Sequence, residues 1–222
     1  MENAELAFIR WIGSLQDPAP ALRAYARQYQ YFSLHQIRAF AQIMNRLPAT
    51  DRGALSLVAS VLYDELGQGK ESEVHSVMFE RFASSIGVPS SELPLSENDV
   101  ASGVRNYISE LFDAFGQNAS LARALATYLF LERSAVLTYQ PFLDTLRLMR
   151  LPRVDSQFFE VHATMEIGHE RAAADLVARY ASSDSSVSEI ASQTARMARC
   201  WQAFWADMLA HCQAASGGSI VA

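Results

Sequence analysis

The chain has 222 residues, half of them apolar and 19% charged, with a formal net charge of −6 and a pI near 5.4. The length suffices for one sizeable core, and an acid excess without any run of Lys and Arg argues against nucleic acid or an anionic membrane as a partner, because both reward clustered positive charge. Two cysteines cannot build a disulfide framework, no apolar run approaches the ~20 residues that span a bilayer, and MENAELAFIRWIG lacks a secretory signal's basic start, so the cytoplasm is the expected location.

Apolar residues recur at helical spacing over 3–15, 20–46, 50–66, 71–87, 97–115, 119–149, 154–181 and 186–214, with no legible succession of strands. Pro18 and Pro20 separate the first two segments, Thr50 or Asp51 offers an N-cap to the third, and VPSSELPLSENDV is the longest non-periodic link. Tyr25, Tyr29, Tyr31 and Phe32 crowd the second segment, where they suit a core with one or two left to line a pocket. Pro141 is expected to kink the sixth segment, and ASSDSSVSE offers several caps to the last, which carries Cys200 and Cys212 as reduced core thiols. The pattern predicts an all-α fold of about seven to nine helices. Residues 1–222 would form one domain, with its core over 20–212 and a flexible tail at 215–222.

A buried charge is costly unless it is paired or bound to a cation, so acids and histidines on apolar faces are the informative ones. Glu132 stands one turn from Tyr128, Leu129, Ala135 and Val136, which predicts a carboxylate turned into the core, while Arg133 projects about 100° aside. His162, Glu166 and His169, at offsets of four and seven residues, share one stripe of the seventh segment with apolar neighbours Phe158, Phe159 and Met165. The plain alternative for them is a buried, hydrogen-bonded His and Glu pair on a helix face. In VLYDELGQGKESEVHSVMFERF, Glu65 shares the face of Val61 and Leu62, with Asp64 as its alternative, and His75 precedes Met78 and Phe79. Unbroken helix would hold Glu65 and His75 about 15 Å apart, too far to share a metal. A break at Gly67 and Gly69 would let them converge from two helical pieces. Glu71 and Glu73 are expected in solvent, and His35 and His211 have no acid at ligand spacing. Together Glu65, His75, Glu132, His162, Glu166 and His169 offer three carboxylates and three imidazoles without thiolate, a set that suits iron or manganese better than structural zinc.

This arrangement resembles the haem-oxygenase-like di-metal oxidases, or iron-containing redox enzymes, whose fold is shared with the TenA thiaminases and the pyrroloquinoline quinone synthases. DELGQGKESEVH is similar to the family's helix bearing an acid and a histidine, Glu132 to its lone Glu, and HATMEIGH to its His-x3-(Asp/Glu)-x2-His run. The gap of thirty residues between Glu132 and His162 fits that order, and YARQYQYFSLHQIRAF is similar to the family's aromatic-rich first core helix. Glu166 stands where Asp is common. The resemblance implies a haem-oxygenase-like bundle with Glu65, His75, Glu132, His162, Glu166 and His169 as metal ligands, the carboxylates supplying charge and bridging and the imidazoles terminal positions. It also implies two Fe ions (Fe2+/Fe3+), with O2 as co-substrate.

The function expected from the resemblance is O2-dependent oxidation of a small amine or amino acid, by N-oxygenation or oxidative carbon–carbon cleavage, in specialised metabolite biosynthesis. Fatty-acid oxidative decarboxylation is the alternative on the same fold, and a non-catalytic helical binding protein is the alternative from another class. The expected partners are a small-molecule substrate and an external reductant, and a homodimer is compatible with the fold. Arg133 and Tyr139 are candidates for contact with a substrate carboxylate. Rival readings explain less. A ferritin-like centre needs two Glu-x-x-His motifs, and only Glu166 and His169 fit that spacing. A TenA-type thiaminase needs a mid-chain nucleophilic cysteine, and a haem ligated by His35 would leave all six candidates unexplained.

Overall fold

In the computed structural model, which describes residues 3–217, each periodic segment becomes an α-helix: α1 (Ala4–Gly13), α2 (Ala19–Phe40), α3 (Arg52–Glu65), α4 (His75–Ser85), α5 (Ser102–Phe115), α6 (Leu121–Leu148), α7 (Gln157–Tyr180) and α8 (Asp184–Ala215). No strand occurs among the described residues. Side-chain caps set several starts. Asn3 accepts from the Glu5 amide, Asp51 from Ala54, Ser120 from Arg123, and Ser183 forms a reciprocal capping box with Ser186. Of the tail expected at 215–222, residues 218–222 lie outside the described residues.

One expectation about backbone continuity is revised. The helix expected at 71–87 starts at His75, after short 3-10 turns at Gly67–Gly69 and Glu71–Glu73, because Gly67, Gln68 and Gly69 all take positive φ (73°, 53° and 85°) that ends α3. The sixth helix runs unbroken through Pro141. The carbonyl deprived of its partner is that of Leu137, 58% exposed, where water can serve it.

Helix α6 packs most extensively on α7, while α8 lies against α1, α2, α5 and α6. Gly103 permits the close crossing of α5 over α8, since a Cβ there would stand 2.6 Å from the Ala203 carbonyl oxygen. The core is aromatic. Tyr25 and Tyr29 of α2, Phe79 of α4, Phe142 of α6, Phe158 and Phe159 of α7 and Trp205 of α8 are all buried. Their rings interlock, with centroids 5.0 Å apart for Tyr29 and Phe79 and 4.9 Å for Phe142 and Phe159. Helix α3 is held more lightly, burying only Ala54, Val58 and Val61. Its start is tied to the end of α7 through Asp51, which accepts from Arg179 at 3.0 Å and from the Tyr180 hydroxyl at 2.7 Å. No described helix is long and apolar enough to cross a membrane.

Candidate metal centre

The six residues singled out above meet in one buried cluster between α3, α4, α6 and α7. Side-chain exposure is 1% for His162, 4% for Glu166, 5% for His75, 7% for His169 and 11% for both Glu65 and Glu132. The turn at Gly67–Gly69 does what an unbroken helix could not, bringing His75 Nδ1 to 3.0 Å from Glu65 Oε2. Arg81 fastens this segment to the start of α7, with bonds to the Ser72 carbonyl, Asp155 (3.3 Å) and Gln157 (2.7 Å).

On α7 the helical stripe aims three side chains inward. His162 Nε2 lies 3.8 Å from Glu166 Oε1, and His169 Nδ1 lies 3.6 Å from Glu166 Oε2. Helix α6 adds Glu132, whose Oε2 is 3.7 Å from His169 Nδ1, and Glu65 Oε1 approaches the same nitrogen at 4.0 Å. Ligand atoms fall into two sets, each within 4.8 Å: Glu65, His75 and His162, and Glu65, Glu166 and His169. Glu65 belongs to both. His162 Nδ1 lies 2.6 Å from the Phe158 carbonyl, which only accepts, so the ring keeps its proton there and turns a bare Nε2 to the cluster. Tyr139 and Phe158 hold that ring, with centroids 4.4 and 4.1 Å away, and Tyr139 in turn hydrogen-bonds Tyr29 at 2.9 Å.

The donor atoms fit a cation. His162 Nε2, Glu166 Oε2 and His169 Nδ1 are buried without a hydrogen-bond partner, an arrangement a folded chain avoids unless another group satisfies it. Electrostatics agree. Burial, then the neighbouring Glu166, drives the Glu132 carboxyl well above its ordinary range, and burial followed by Glu65 lifts Glu166 to about 8. A hydrogen bond joins these two acids, with the proton on Glu132. Burial also raises Glu65, but the adjacent His75 imidazole, 3.0 Å from its Oε2, is the main cause that outweighs it and brings the group to about 2. Burial, then His75, lowers His162 to about 3, so it is neutral and ready to ligate.

These shifts give the metal-free protein a signed pH dependence. Glu132 and Glu166 retain protons in the folded state that the unfolded chain has lost above 4.5, so their contribution weakens as pH climbs toward the folded value of about 8 for Glu166. His162 acts oppositely, but its contribution is complete above 6.5, and that of Glu65 above 4.5. From pH 6.5 to 8 the melting temperature of metal-free protein is therefore expected to fall, and Glu166→Gln to flatten the fall. A flat or rising wild-type profile would contradict the assignment.

Other candidates lie elsewhere. Arg133 points away, 69% exposed and paired with Glu170, so it does not face the cluster, whereas Tyr139 is inside and supports His162. His35 stacks on Tyr31 and bonds its carbonyl, His211 is exposed beside Gln28, and Cys212 is buried while Cys200 is half-buried. Sequence reasoning missed Gln36 and Ile37 of α2, which help line a small cavity of about 30 Å³ over Glu65, Glu132, Tyr139 and Glu166, large enough for a molecule the size of water or dioxygen. Nothing in their local pattern marks them. A larger groove of about 590 Å³ runs between α3 and α7, past Ser56 and Ser60, to Asp64 and His169.

Residues 23–202 match the model of a protein family described as iron-containing redox enzyme. Among solved structures, a domain of unknown function with a heme oxygenase-like fold from Shewanella denitrificans OS217 has a TM-score of 0.77 and 14% identity, covering 96% of this chain and 87% of that one. A CADD-like protein of unknown function from Nostoc punctiforme PCC 73102 has a TM-score of 0.69 and 15% identity, covering 93% and 97%. A TenA homologue from Pyrococcus furiosus has a TM-score of 0.69 and 13% identity, covering 91% and 89%. At such identities the likeness establishes the fold, which is haem-oxygenase-like as expected. No curated protein matches the sequence.

Proposed function

The chain belongs to the iron-containing redox enzyme family, and from that premise we propose that it is an O2-dependent non-haem di-iron oxidase or oxygenase acting on a small amine or amino acid. The observation that carries the reading is the convergence of three buried imidazoles and three glutamates, with His162 Nε2, Glu166 Oε2 and His169 Nδ1 lacking any hydrogen-bond partner. Glu65, His75 and His162 would hold one iron and Glu65, Glu166 and His169 the other, with Glu132 completing the second position. Bound iron supplies the electrons that activate dioxygen.

The chain's own groups do the rest. Three carboxylates offset the charge of two divalent cations, and the proton on Glu132 is displaced when they bind. Phe158, Phe159 and Tyr139 seal the His162 side from water, and the small cavity beside the carboxylates leaves room for a diatomic molecule. The groove between α3 and α7 has the size of a small-molecule site. It carries the Asp64 carboxylate and the Ser56 and Ser60 hydroxyls, with no Lys or Arg among its lining residues. That suits a protonated amine better than a fatty acid, and favours N-oxygenation or oxidative carbon–carbon cleavage over decarboxylation of a long acyl chain. Where one oxygen atom enters the substrate and the other leaves as water, two further electrons and two protons are consumed, so an external reductant belongs to the proposal.

Anaerobic metal-free protein titrated with Fe(II) and then exposed to oxygen tests this directly. The expected result is about two irons per chain and an oxygen-dependent change in the optical spectrum, both impaired in His162→Ala and Glu132→Ala. Absence of specific iron binding would sink the enzyme reading and leave a helical binding protein.

A further inference from the structure

Asp64 enters the sequence argument only as a substitute for Glu65, yet in the fold it stands apart from the carboxylate cluster. Its Oδ2 is 3.4 Å from His169 Nε2, whereas Nδ1 of the same ring faces Glu166 at 3.6 Å, Glu132 at 3.7 Å and Glu65 at 4.0 Å. The two ring nitrogens point in diverging directions, so a cation shared by Nδ1 and the glutamates does not also lie on Asp64. An ionised carboxylate only accepts hydrogen bonds, and at Nε2 it keeps the ring proton there and leaves Nδ1 bare. We propose that Asp64 is a positioning residue that fixes the tautomer and orientation of His169 for the second metal position; this rests on the metal centre proposed above.

Two further observations support the role. His162 has its ring proton held by the Phe158 carbonyl, while the hydrogen-bond partner of His169 is Asp64. Each histidine of the α7 stripe thus has its own acceptor on the side away from the cluster, as metal-ligating imidazoles commonly do. Asp64 is itself held. Its Oδ1 accepts from Gln68 Nε2 at 2.8 Å, and the Tyr63 hydroxyl donates to the Gln68 carbonyl at 2.8 Å. Gln68 is the residue with φ of 53° in the turn that swings His75 onto Glu65. One turn therefore sets both metal positions, the first through His75 and the second through Asp64 and His169. The groove between α3 and α7 reaches the outer edge of the His169 ring, so without Asp64 that edge would meet solvent and the ring could exchange its two nitrogens.

Asp64→Ala removes the acceptor, and Asp64→Asn keeps a neutral carbonyl in its place. In metal-free protein, 15N NMR of the imidazoles, with His169 assigned by its loss in His169→Gln, should show the Nε2–H tautomer in wild type and Asp64→Asn and a mixture in Asp64→Ala. Equilibrium dialysis with Fe(II) should show the second equivalent weakened about 10–100-fold in Asp64→Ala and the first unchanged. Asp64→Asn should stay close to wild type in both measurements. An unaltered tautomer in Asp64→Ala overturns the proposal, and so does an equal loss of iron in both variants, which would make Asp64 itself a ligand. Wild type that takes up no iron would refute the metal centre, and the tautomer comparison would still decide the role of Asp64.

Discussion

Replacing Glu65 with alanine is expected to abolish both of the proposed iron positions at once, whereas His162→Ala or His169→Ala should each cost one. The asymmetry follows from geometry, because Glu65 is the residue common to the two sets of converging ligand atoms, with Oε2 on His75 and Oε1 toward His169. Its removal should weaken both equivalents by more than the 10–100-fold that loss of an outer partner typically costs. It also removes the carboxylate that stands between His75 and His169, the two imidazoles that belong to different ligand sets. Fe(II) stoichiometry of the two classes of variant, measured anaerobically, is the check. Retention of one full-affinity iron in Glu65→Ala would mean that the two sets are independent and that Glu65 serves only the first.

A comparable loss should follow from Gly67→Ala, although Gly67 carries no ligand atom. Gly67 has φ of +73°, which costs an L residue roughly 1–2 kcal/mol, and its added Cβ would stand 2.5 Å from the backbone of both Glu73 and Val74. Those atoms lead directly into His75, so relief of the clash moves that ligand away from Glu65. Gly69 provides the control. Its φ is +85°, but an added Cβ meets nothing within 4 Å, so Gly69→Ala carries the backbone cost alone. Iron affinity at the first position is expected to drop by more than about 100-fold in Gly67→Ala and by no more than roughly 5–30-fold in Gly69→Ala, the latter matching the backbone cost. Equal effects in the two variants would show that left-handed backbone, rather than the close approach at Gly67, governs the site.

Both predictions concern places where local pattern and tertiary structure divide the work. Helical periodicity located every helix, with ends displaced by up to six residues at α2 and five at α5, because each buries one face and the 3.6-residue repeat of that face is written in the chain. The α7 stripe was legible for the same reason, since residues four and seven apart on a helix share a face whatever it packs against. Glu132 was legible as an acid among apolar neighbours. The resemblance to a known family supplied the order of the remaining ligands. Local pattern alone favoured Glu65 with Asp64 as its alternative, left the pairing of Glu65 with His75 dependent on a break at the glycines, and offered Arg133 as a substrate contact when it lies at the surface on Glu170.

By itself, then, the sequence determined an all-helical chain whose buried acids and histidines lie on known helix faces, because burial and periodicity are local properties. Only the tertiary structure decided which of those faces meet. The backbone angles at Gly67, Gln68 and Gly69 choose how α4 returns on α3, and the packing of α6 and α7 chooses which carboxylates share His169. Convergence of this kind depends on contacts between residues about 100 positions apart, such as the 3.4 Å approach of Asp64 to His169, and no local rule encodes them.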